Sequence, residues 1–291
     1  MERIKLMTDT AGDIPEQALQ EHDITVMSIP ITIDGEGIFE REGFTNQDFY
    51  KMMSTARSIP VTSHVTSVRY LEAYEECYAQ GYRHLVNVTI NSLGSNMYSA
   101  ATMARNMFFE AHPDARGRFE VYVVDSMSYC TPYGYAVVQA AKMAEQQATI
   151  REVLAYLEDF FARLEIYFSV YTLEYAKRSG RISCAAAFVG DMLGLRPIMS
   201  IIDGEIKIIE KVRGDKNVAA KLAQYTKQRI VPGGDYLVIE GSLPEPPKEL
   251  AQILTKELGR KPIQISTAGA SIAINAGHKL LGVGFLGLRR R

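Results

Sequence analysis

The chain has 291 residues, of which 47% are hydrophobic and 23% are charged, and these proportions are typical of a globular protein with one large or two moderate domains. Its net charge of −2 excludes a global positive field that would recruit nucleic acid or an anionic membrane surface. The one dense basic run, Arg289-Arg290-Arg291, is interpreted as a solvated end of the chain rather than a docking patch.

Strands and helices alternate over roughly the first 160 residues. Apolar runs predict strands at 4–7, 24–29, 31–33, 85–90 and 119–124. The spacing of Asp13, Pro15 and Glu16 predicts a helix from about Ile14, capped by Asp13. Thr45 with Asp48 caps a second predicted helix. This alternation predicts a parallel α/β sheet, with ligands bound at the carboxyl ends of its strands.

The pattern changes after a helix that the capping box of Thr149 and Glu152 predicts. Further strands are predicted at 166–171, 198–202, 206–212, 236–239, 263–266 and 283–286. Asp203-Gly204 predicts a two-residue hairpin between two of them, and helices are predicted near Asp215 and after Pro246-Pro247. We therefore expect an N-terminal α/β domain over residues 1–160 and a C-terminal mixed-sheet α+β domain over 161–291.

The three cysteines, Cys77, Cys130 and Cys184, are far apart and odd in number, which indicates reduced thiols rather than a disulfide framework. Cys77 falls on the apolar stripe of a predicted helix, whereas Cys130 follows a predicted strand and is kept as a candidate reactive thiol. The chain begins without a secretory apolar region, and no apolar run approaches the ~18–20 residues that a membrane span needs. The expected location is the cytoplasm, without stable membrane insertion.

Two polar segments, residues 61–67 and 91–100, are rich in hydroxyl and amide side chains and contain no Lys, Arg, Asp or Glu. The second segment follows a predicted strand and leads into a helical run. Small uncharged donors at such a position suit one small anionic or carbonyl group, because backbone N–H groups and the helix dipole add to the attraction. The segments lack the Lys of a triphosphate-binding loop.

Three carboxylates suggest an alternative chemistry. Asp9 ends the first strand, Asp13 follows it, and Asp125 ends a later strand, so together they could bind Mg²⁺ in a phosphotransferase. The competing interpretation is that Asp9 accepts hydrogen bonds from loop N–H groups while Asp13 caps a helix.

The common catalytic motifs are missing from the sequence. There is no G-x-S-x-G elbow, no H-E-x-x-H helix and no Cys/His cluster. His64 and His278 lie in polar segments and remain binding candidates, with a structural role equally open.

Two further segments have two interpretations each. Arg178 and Arg181 flank Gly180 and could bind an anion or a partner's phosphate, or else Gly180 ends a helix. Residues 275–279 form either a binding loop or a helix end capped at Gly277.

Taken together, these segments resemble the DegV family of bacterial fatty-acid-binding proteins over essentially the whole chain. The family's opening T-D-S-T motif is similar to Thr8-Asp9-Thr10-Ala11, and its T-S-Q-P-S motif is similar to residues 62–66. Its S-S-x-L-S-G-T motif is similar to residues 91–96, and its V-D-S motif is Val124-Asp125-Ser126. Its G-G-R-i-S motif is similar to residues 179–183, and its K-P-I motif with D-G-x-I is similar to residues 196–206.

The resemblance implies two α/β domains with one fatty acid buried between them and no other cofactor. The family's carboxylate contacts fall here on Thr62 and Ser63, on Ser95 and Asn96 within Gly94-Ser95-Asn96, and on Asn275, near His278. It implies a protein that is not itself an enzyme and that presents the lipid to a separate ATP-binding fatty-acid kinase subunit. Arg178 and Arg181 are the expected contacts with that partner.

Three functions thus remain open from the sequence. The leading one is fatty-acid binding without catalysis, which agrees with the missing catalytic motifs. The others are a Mg²⁺-dependent phosphotransferase that uses Asp9, Asp13 and Asp125, and a carrier of another apolar carboxylate or carbonyl ligand selected by Asn96 and Asn275.

Overall fold

The computed structural model describes residues 3–182 and 194–288. Its strands are β1 Ile4–Asp9, β2 Thr25–Met27, β3 Pro30–Ile33, β4 Glu36–Phe39, β5 Val61–Thr62, β6 His84–Thr89, β7 Glu120–Asp125, β8 Leu164–Val170, β9 Leu195–Ile202, β10 Glu205–Arg213, β11 Tyr236–Glu240, β12 Gln264–Thr267 and β13 Leu280–Leu286. Cys184 and the terminal Arg289-Arg290-Arg291 run lie outside the described residues.

The helices connect these strands. They are α1 Glu16–Glu21, α2 Asn46–Thr55, α3 Ser67–Ala79, α4 Met97–Ala111, α5 Thr131–Glu145, α6 Ile150–Arg163, α7 Glu174–Ser179, α8 Val218–Arg229, α9 Glu245–Leu258 and α10 Ala270–Ala276. Among the residues described, no helix combines the length and the apolar character that a bilayer crossing requires.

Three sheets organise the chain. The first is parallel, in the order β2-β1-β6-β7, and the second has six strands of mixed direction in the order β10-β9-β8-β13-β11-β12. A small antiparallel sheet, β4-β3-β5, lies beside them. The predicted fold class, a parallel N-terminal sheet followed by a mixed C-terminal sheet, is confirmed. The predicted boundary at residues 160/161 falls inside α6 and stays a prediction.

Several local signals are confirmed. Thr45 with Asp48 and Thr149 with Glu152 both form complete capping boxes, at the first turns of α2 and α6. Asp203 and Gly204 have φ of 51° and 77°, which is the left-handed geometry of a two-residue hairpin turn between β9 and β10. The sequence predicts these capping boxes and this hairpin turn correctly because each depends only on neighbouring residues.

The prediction that Asp13 caps a helix is wrong. Helix α1 begins at Glu16 after Pro15, which caps it without a side-chain hydrogen bond. Asp13 instead takes a left-handed conformation (φ 49°), and its carboxyl group is buried against Gly269, where an added Cβ would collide with it. A tertiary contact with α10 therefore replaces the local cap.

A buried polar network joins the N-terminal part of the chain to α10. The Thr10 hydroxyl donates to Glu40 Oε2 at 2.6 Å, and the Ser271 backbone N–H donates to Glu40 Oε1 at 2.8 Å. Glu40 is fully buried, so it links the end of β1, the small sheet and α10 in one contact. We call Thr10, Glu40 and Ser271, together with Asp13, the carboxyl joint.

Burial changes the ionisation of the carboxyl joint. It raises the pKa of Asp13 well above the ordinary value, and the nearby Glu40 raises it further, whereas the Gly269 N–H and Arg41 oppose the rise. Burial likewise raises the pKa of Glu40. Neither oxygen of Asp13 has a hydrogen-bond partner of regular geometry within the described residues. Burial therefore shifts Asp13 toward the neutral acid in the folded protein relative to the unfolded chain.

We expect Asp13→Asn to stabilise the protein at alkaline pH and to leave it nearly unchanged at acidic pH. The pKa of Asp13 is higher in the folded protein than in the unfolded chain. Its contribution to the free energy of unfolding is therefore complete below about pH 4 and is lost as pH rises through the folded-state pKa. Asparagine keeps the shape of the aspartate side chain, tolerates the left-handed backbone and cannot ionise. The free energy of unfolding should therefore rise by at least about 1 kcal/mol at pH 8. Urea unfolding at about pH 3.5 and at about pH 8, on either side of this range, measures the change.

Asp203→Asn is the matched control, because Asp203 is exposed and has the same left-handed backbone. The free energy of unfolding of Asp203→Asn should show no gain between the acidic and the alkaline measurement. Equal destabilisation of Asp13→Asn at both pH values would contradict the expectation.

Candidate functional site

A cavity of about 350 Å³ lies between the carboxyl edge of the parallel sheet and one face of the six-stranded sheet. Most of its wall is apolar. The apolar lining consists of Ile29, Ile90, Met97, Ile166, Phe168, Ile182, Ile201, Ile206, Ile239, Ile272, Ala276 and Leu280. A mainly apolar pocket with a few polar groups is the usual form of a small-molecule site.

Both polar segments identified in the sequence reach this cavity. Thr62, Ser63 and His64 line it from the first segment, and Gly94, Ser95 and Asn96 line it from the second. The first segment is held by pairing of β5 with β3 and by the Ser63 N–H, which donates to Pro30 O at 2.9 Å. The structure thus brings together two segments about 30 residues apart in sequence.

Asn91 and Gly94 shape the second segment. The buried Asn91 donates through Nδ2 to Gly204 O at 2.7 Å in the β9–β10 hairpin and accepts from Leu93 N at 3.0 Å. Gly94 lies under the Tyr129 ring, and a Cβ at Gly94 would collide with the Tyr129 hydroxyl. Burial raises the pKa of Tyr129 to about 12, so its phenol remains a neutral hydrogen-bonding group. The segment is therefore fixed by contacts from both large sheets.

The start of α4 adds donors at the same place. Ser95 Oγ accepts from the N–H of Met97, the first residue of α4, at 3.3 Å, and Asn96 is exposed at the rim. A 15-residue helix beginning here places its positive dipole end toward the cavity. This edge of the cavity is thus suited to a group with oxygen acceptors.

Asn275 lines the cavity from the last turn of α10. Its Nδ2 donates one N–H to Ser271 O at 2.7 Å, so its second N–H and its Oδ1 are left as possible ligand contacts. Helix α10 ends at Ala276 with Gly277 as its cap, which confirms the interpretation of residues 275–279 as a helix end.

His278 lies away from the residues that line the cavity. Its Nδ1 is 2.8 Å from Ser242 Oγ, and its ring packs near those of Tyr50 and Tyr175, with centroids at 5.7 and 6.2 Å. Burial and the neighbouring Lys279 lower its pKa. A ligand contact by His278 stays a prediction.

Arg181 joins the end of α7 to the second polar segment, residues 91–100. Its Nε donates to Gly94 O at 3.1 Å, and its Nη1 donates to Ser179 O at 3.2 Å. Arg181 lines both the cavity and an adjoining polar cleft of about 580 Å³, which Lys207 also lines. Arg178 is exposed in the last turn of α7, which ends at Gly180 with φ of 67°, as one interpretation predicted.

Two of the three carboxylates of the alternative function, Asp9 and Asp125, accept hydrogen bonds within the fold. Asp9 accepts from Ala11 N at 3.2 Å, from Ile90 N at 2.9 Å and from Tyr133 Oη at 2.7 Å, which confirms its predicted role toward loop N–H groups. Burial raises its pKa to about 6. Asp125 Oδ1 accepts from the Ser92 and Met127 N–H groups at 3.2 and 2.9 Å.

Within residues 3–182 and 194–288, no group of three or more His, Cys, Asp or Glu side chains is placed to hold a metal ion, so Asp9, Asp13 and Asp125 do not form one magnesium site. This geometry therefore disfavours the phosphotransferase.

The reactive-thiol interpretation of Cys130 is wrong. Cys130 lines the cavity but is buried, and this burial and the nearby Asp13 raise the pKa of its thiol well above the ordinary value. A thiol needs the opposite shift to become a nucleophile at neutral pH. Cys77 lies on the buried face of α3, and its predicted packing role is confirmed.

The apolar wall contributed by the six-stranded sheet was not assigned to the site from the sequence. All seven residues of β8 are buried, so no alternation distinguishes the side facing the cavity. The one available signal was the pair of glycines, Gly282 and Gly284, in an otherwise apolar strand, because a strand glycine marks a close approach of another group.

Comparisons with known proteins agree with this architecture. A family model described as an uncharacterised protein of the DegV family matches residues 3–287. A DegV domain-containing protein of Clostridium perfringens is 30% identical over 292 residues, covering 99% of this chain and 98% of the relative.

Solved structures are similar to this chain over nearly its whole length. A hypothetical protein of Thermotoga maritima, described as revealing a fatty acid binding function, is 25% identical with a TM-score of 0.82, and the match covers 99% of this chain and 100% of that one. A stearic acid-binding protein of Eubacterium ventriosum is 24% identical with a TM-score of 0.86, over 99% and 98% of the two chains, and shares the fold. With a family model that spans nearly its whole length, the chain belongs to the DegV family.

Proposed function

We propose that the cavity binds one long-chain fatty acid, with the acyl chain on the apolar wall and the carboxylate at the polar edge. The observation that carries the proposal is the division of the lining into a continuous apolar wall and a polar edge of uncharged donors. The Thermotoga maritima protein, described as binding fatty acid, gives independent support at 25% identity.

The apolar wall supplies most of the affinity. Each buried methylene contributes about 0.8 kcal/mol, so ~15 methylenes give a gross hydrophobic term of roughly 12 kcal/mol. The loss of translational and rotational freedom on association reduces this term substantially. The chain is therefore held mainly by burial, and the polar edge selects orientation and head group.

The proposed carboxylate contacts are the hydroxyls of Thr62, Ser63 and Ser95, the Asn96 amide and the start of α4. Hydroxyl and amide donors stabilise a carboxylate without the desolvation cost of a second buried charge. Arg181 at the rim adds a cation that is already held by Gly94 O and Ser179 O.

A neutral acyl ligand is the second candidate, because Asn275 carries an acceptor as well as a donor. Its Nδ2 donates one N–H to Ser271 O, so its second N–H could donate to a carboxylate and its Oδ1 could accept from a hydroxyl, an amide or a protonated acid. A fatty alcohol or fatty amide would satisfy the same apolar wall.

Organic extraction of purified protein followed by mass spectrometry tests the proposal. We expect a long-chain fatty acid in near-stoichiometric amount. Recovery of a fatty alcohol or amide would support the second candidate, and reproducible recovery of no lipid would contradict both.

We expect Ser63→Ala to weaken retention of the fatty acid. It removes one hydroxyl donor to a charged carboxylate, which typically costs about 1–3 kcal/mol. Competition with a fluorescent fatty acid measures the change in affinity. Ser54→Ala, at an exposed serine on α2 that does not line the cavity, is the matched control and should bind as the unmodified protein does. Equal affinity of both variants would remove Ser63 from the site.

We further propose that the protein presents the carboxylate to an ATP-binding fatty-acid kinase subunit at the polar cleft. The cleft adjoins the carboxylate edge, since Gly94, Ser95, Asn96 and Arg181 line both spaces. The cations of Arg181 and Lys207, with the exposed Arg178 nearby in sequence, suit an acidic partner surface or a transferred phosphoryl group.

Arg178→Glu should abolish phosphorylation of the bound fatty acid by a kinase subunit from the same genome while leaving the lipid content unchanged. Charge reversal at an exposed contact repels an acidic partner surface without altering the cavity wall. Lys51→Glu, an exposed cation on α2, is the control. Equal phosphorylation rates for Arg178→Glu and the unmodified protein would exclude Arg178 from the contact.

A further inference from the structure

Gly282 is part of the cavity wall that the six-stranded sheet contributes. It lies in β13 and pairs with Phe168 of β8 on one side and with Ile239 of β11 on the other. Residues directly opposite one another in a sheet share a face, and all three of these residues line the cavity. The row therefore consists of two large apolar side chains with a gap between them.

Glycine within a strand is unfavourable by roughly 0.5–1 kcal/mol relative to alanine, so its presence indicates a close approach by another group. Gly284, two residues further along the same face, has such a group in the protein itself. A Cβ at Gly284 would collide with the ring of Pro132 in the first turn of α5.

The neighbours of Gly282 come from its own sheet. The nearest atoms to a Cβ at this position are Phe168 Cβ at 3.3 Å and the Cβ and Cδ1 atoms of Ile239, both at 3.4 Å. Gly282, Phe168 and Ile239 all line the cavity. A side chain at position 282 would therefore press on these two residues and reduce the space of the cavity.

We propose that Gly282 sets the length of the acyl chain that the cavity accepts. The proposal rests on the proposed function and adds a specificity-determining residue to it. Protein interiors are packed so closely that one added methyl group is felt by its neighbours. A side chain at position 282 would fill the gap between Phe168 and Ile239 and displace the part of the acyl chain that lies there.

Extraction and mass spectrometry of Gly282→Ala and Gly282→Val tests this. We expect the mean length of the bound chains to fall by about one carbon for alanine and by two or more for valine, since each added methyl group displaces about one methylene. Ile239→Val removes a methyl group beside the gap and should shift the distribution toward longer chains. Gly37→Val, at an exposed strand position with open space around it, is the control and should leave the distribution unchanged.

Identical chain-length distributions in the unmodified protein, Gly282→Ala and Ile239→Val would overturn this inference and leave the proposed function standing. Absence of any acyl lipid from the unmodified protein would overturn the proposed function itself. If Gly282→Val does not fold, the opposite shifts expected for Gly282→Ala and Ile239→Val still decide the question.

Discussion

The buried carboxylate of Glu40 is the contact on which the geometry of the site depends. It accepts from the Thr10 hydroxyl at the end of β1 and from the backbone of Ser271 at the start of α10. Helix α10 forms one wall of the cavity through Ser271, Ile272, Asn275 and Ala276. A single buried acceptor thus fixes this wall relative to the parallel sheet, and its loss would leave buried donors without partners.

Other contacts between the N-terminal and C-terminal parts of the chain reinforce this arrangement. Tyr50 Oη donates to Ala268 O at 2.6 Å, Asn91 Nδ2 donates to Gly204 O, and Arg181 donates to Gly94 O. All three are side-chain donors to backbone carbonyls near the cavity. The opening between the sheets is thereby bounded by directional bonds, while its interior remains apolar. This combination suits a protein that encloses a long apolar ligand and exposes one polar end.

The distribution of polar groups is the basis for proposing a binding function. Asp9, Asp125 and Glu40 accept hydrogen bonds within the fold, and burial raises the pKa of Asp9, Asp13 and Glu40. The same burial keeps the Cys130 thiol protonated. The groups that face the polar edge are mainly hydroxyls and amides, which hold an acyl head group but do not activate one.

The sequence by itself determined the local elements: the capping boxes of α2 and α6, the Asp203-Gly204 hairpin and the order of strands and helices. It also identified the two polar segments, because strand ends and helix starts are recognisable from neighbouring residues. Only the tertiary structure decided that Asp13 turns into the core, that His278 packs beside Ser242, and that Gly282 faces the cavity. Strands buried on both faces carry no alternation to reveal their orientation, and contacts such as Glu40 with Ser271 join residues 231 positions apart. No local pattern encodes such pairings, so the shape of the site follows from packing rather than from any one segment.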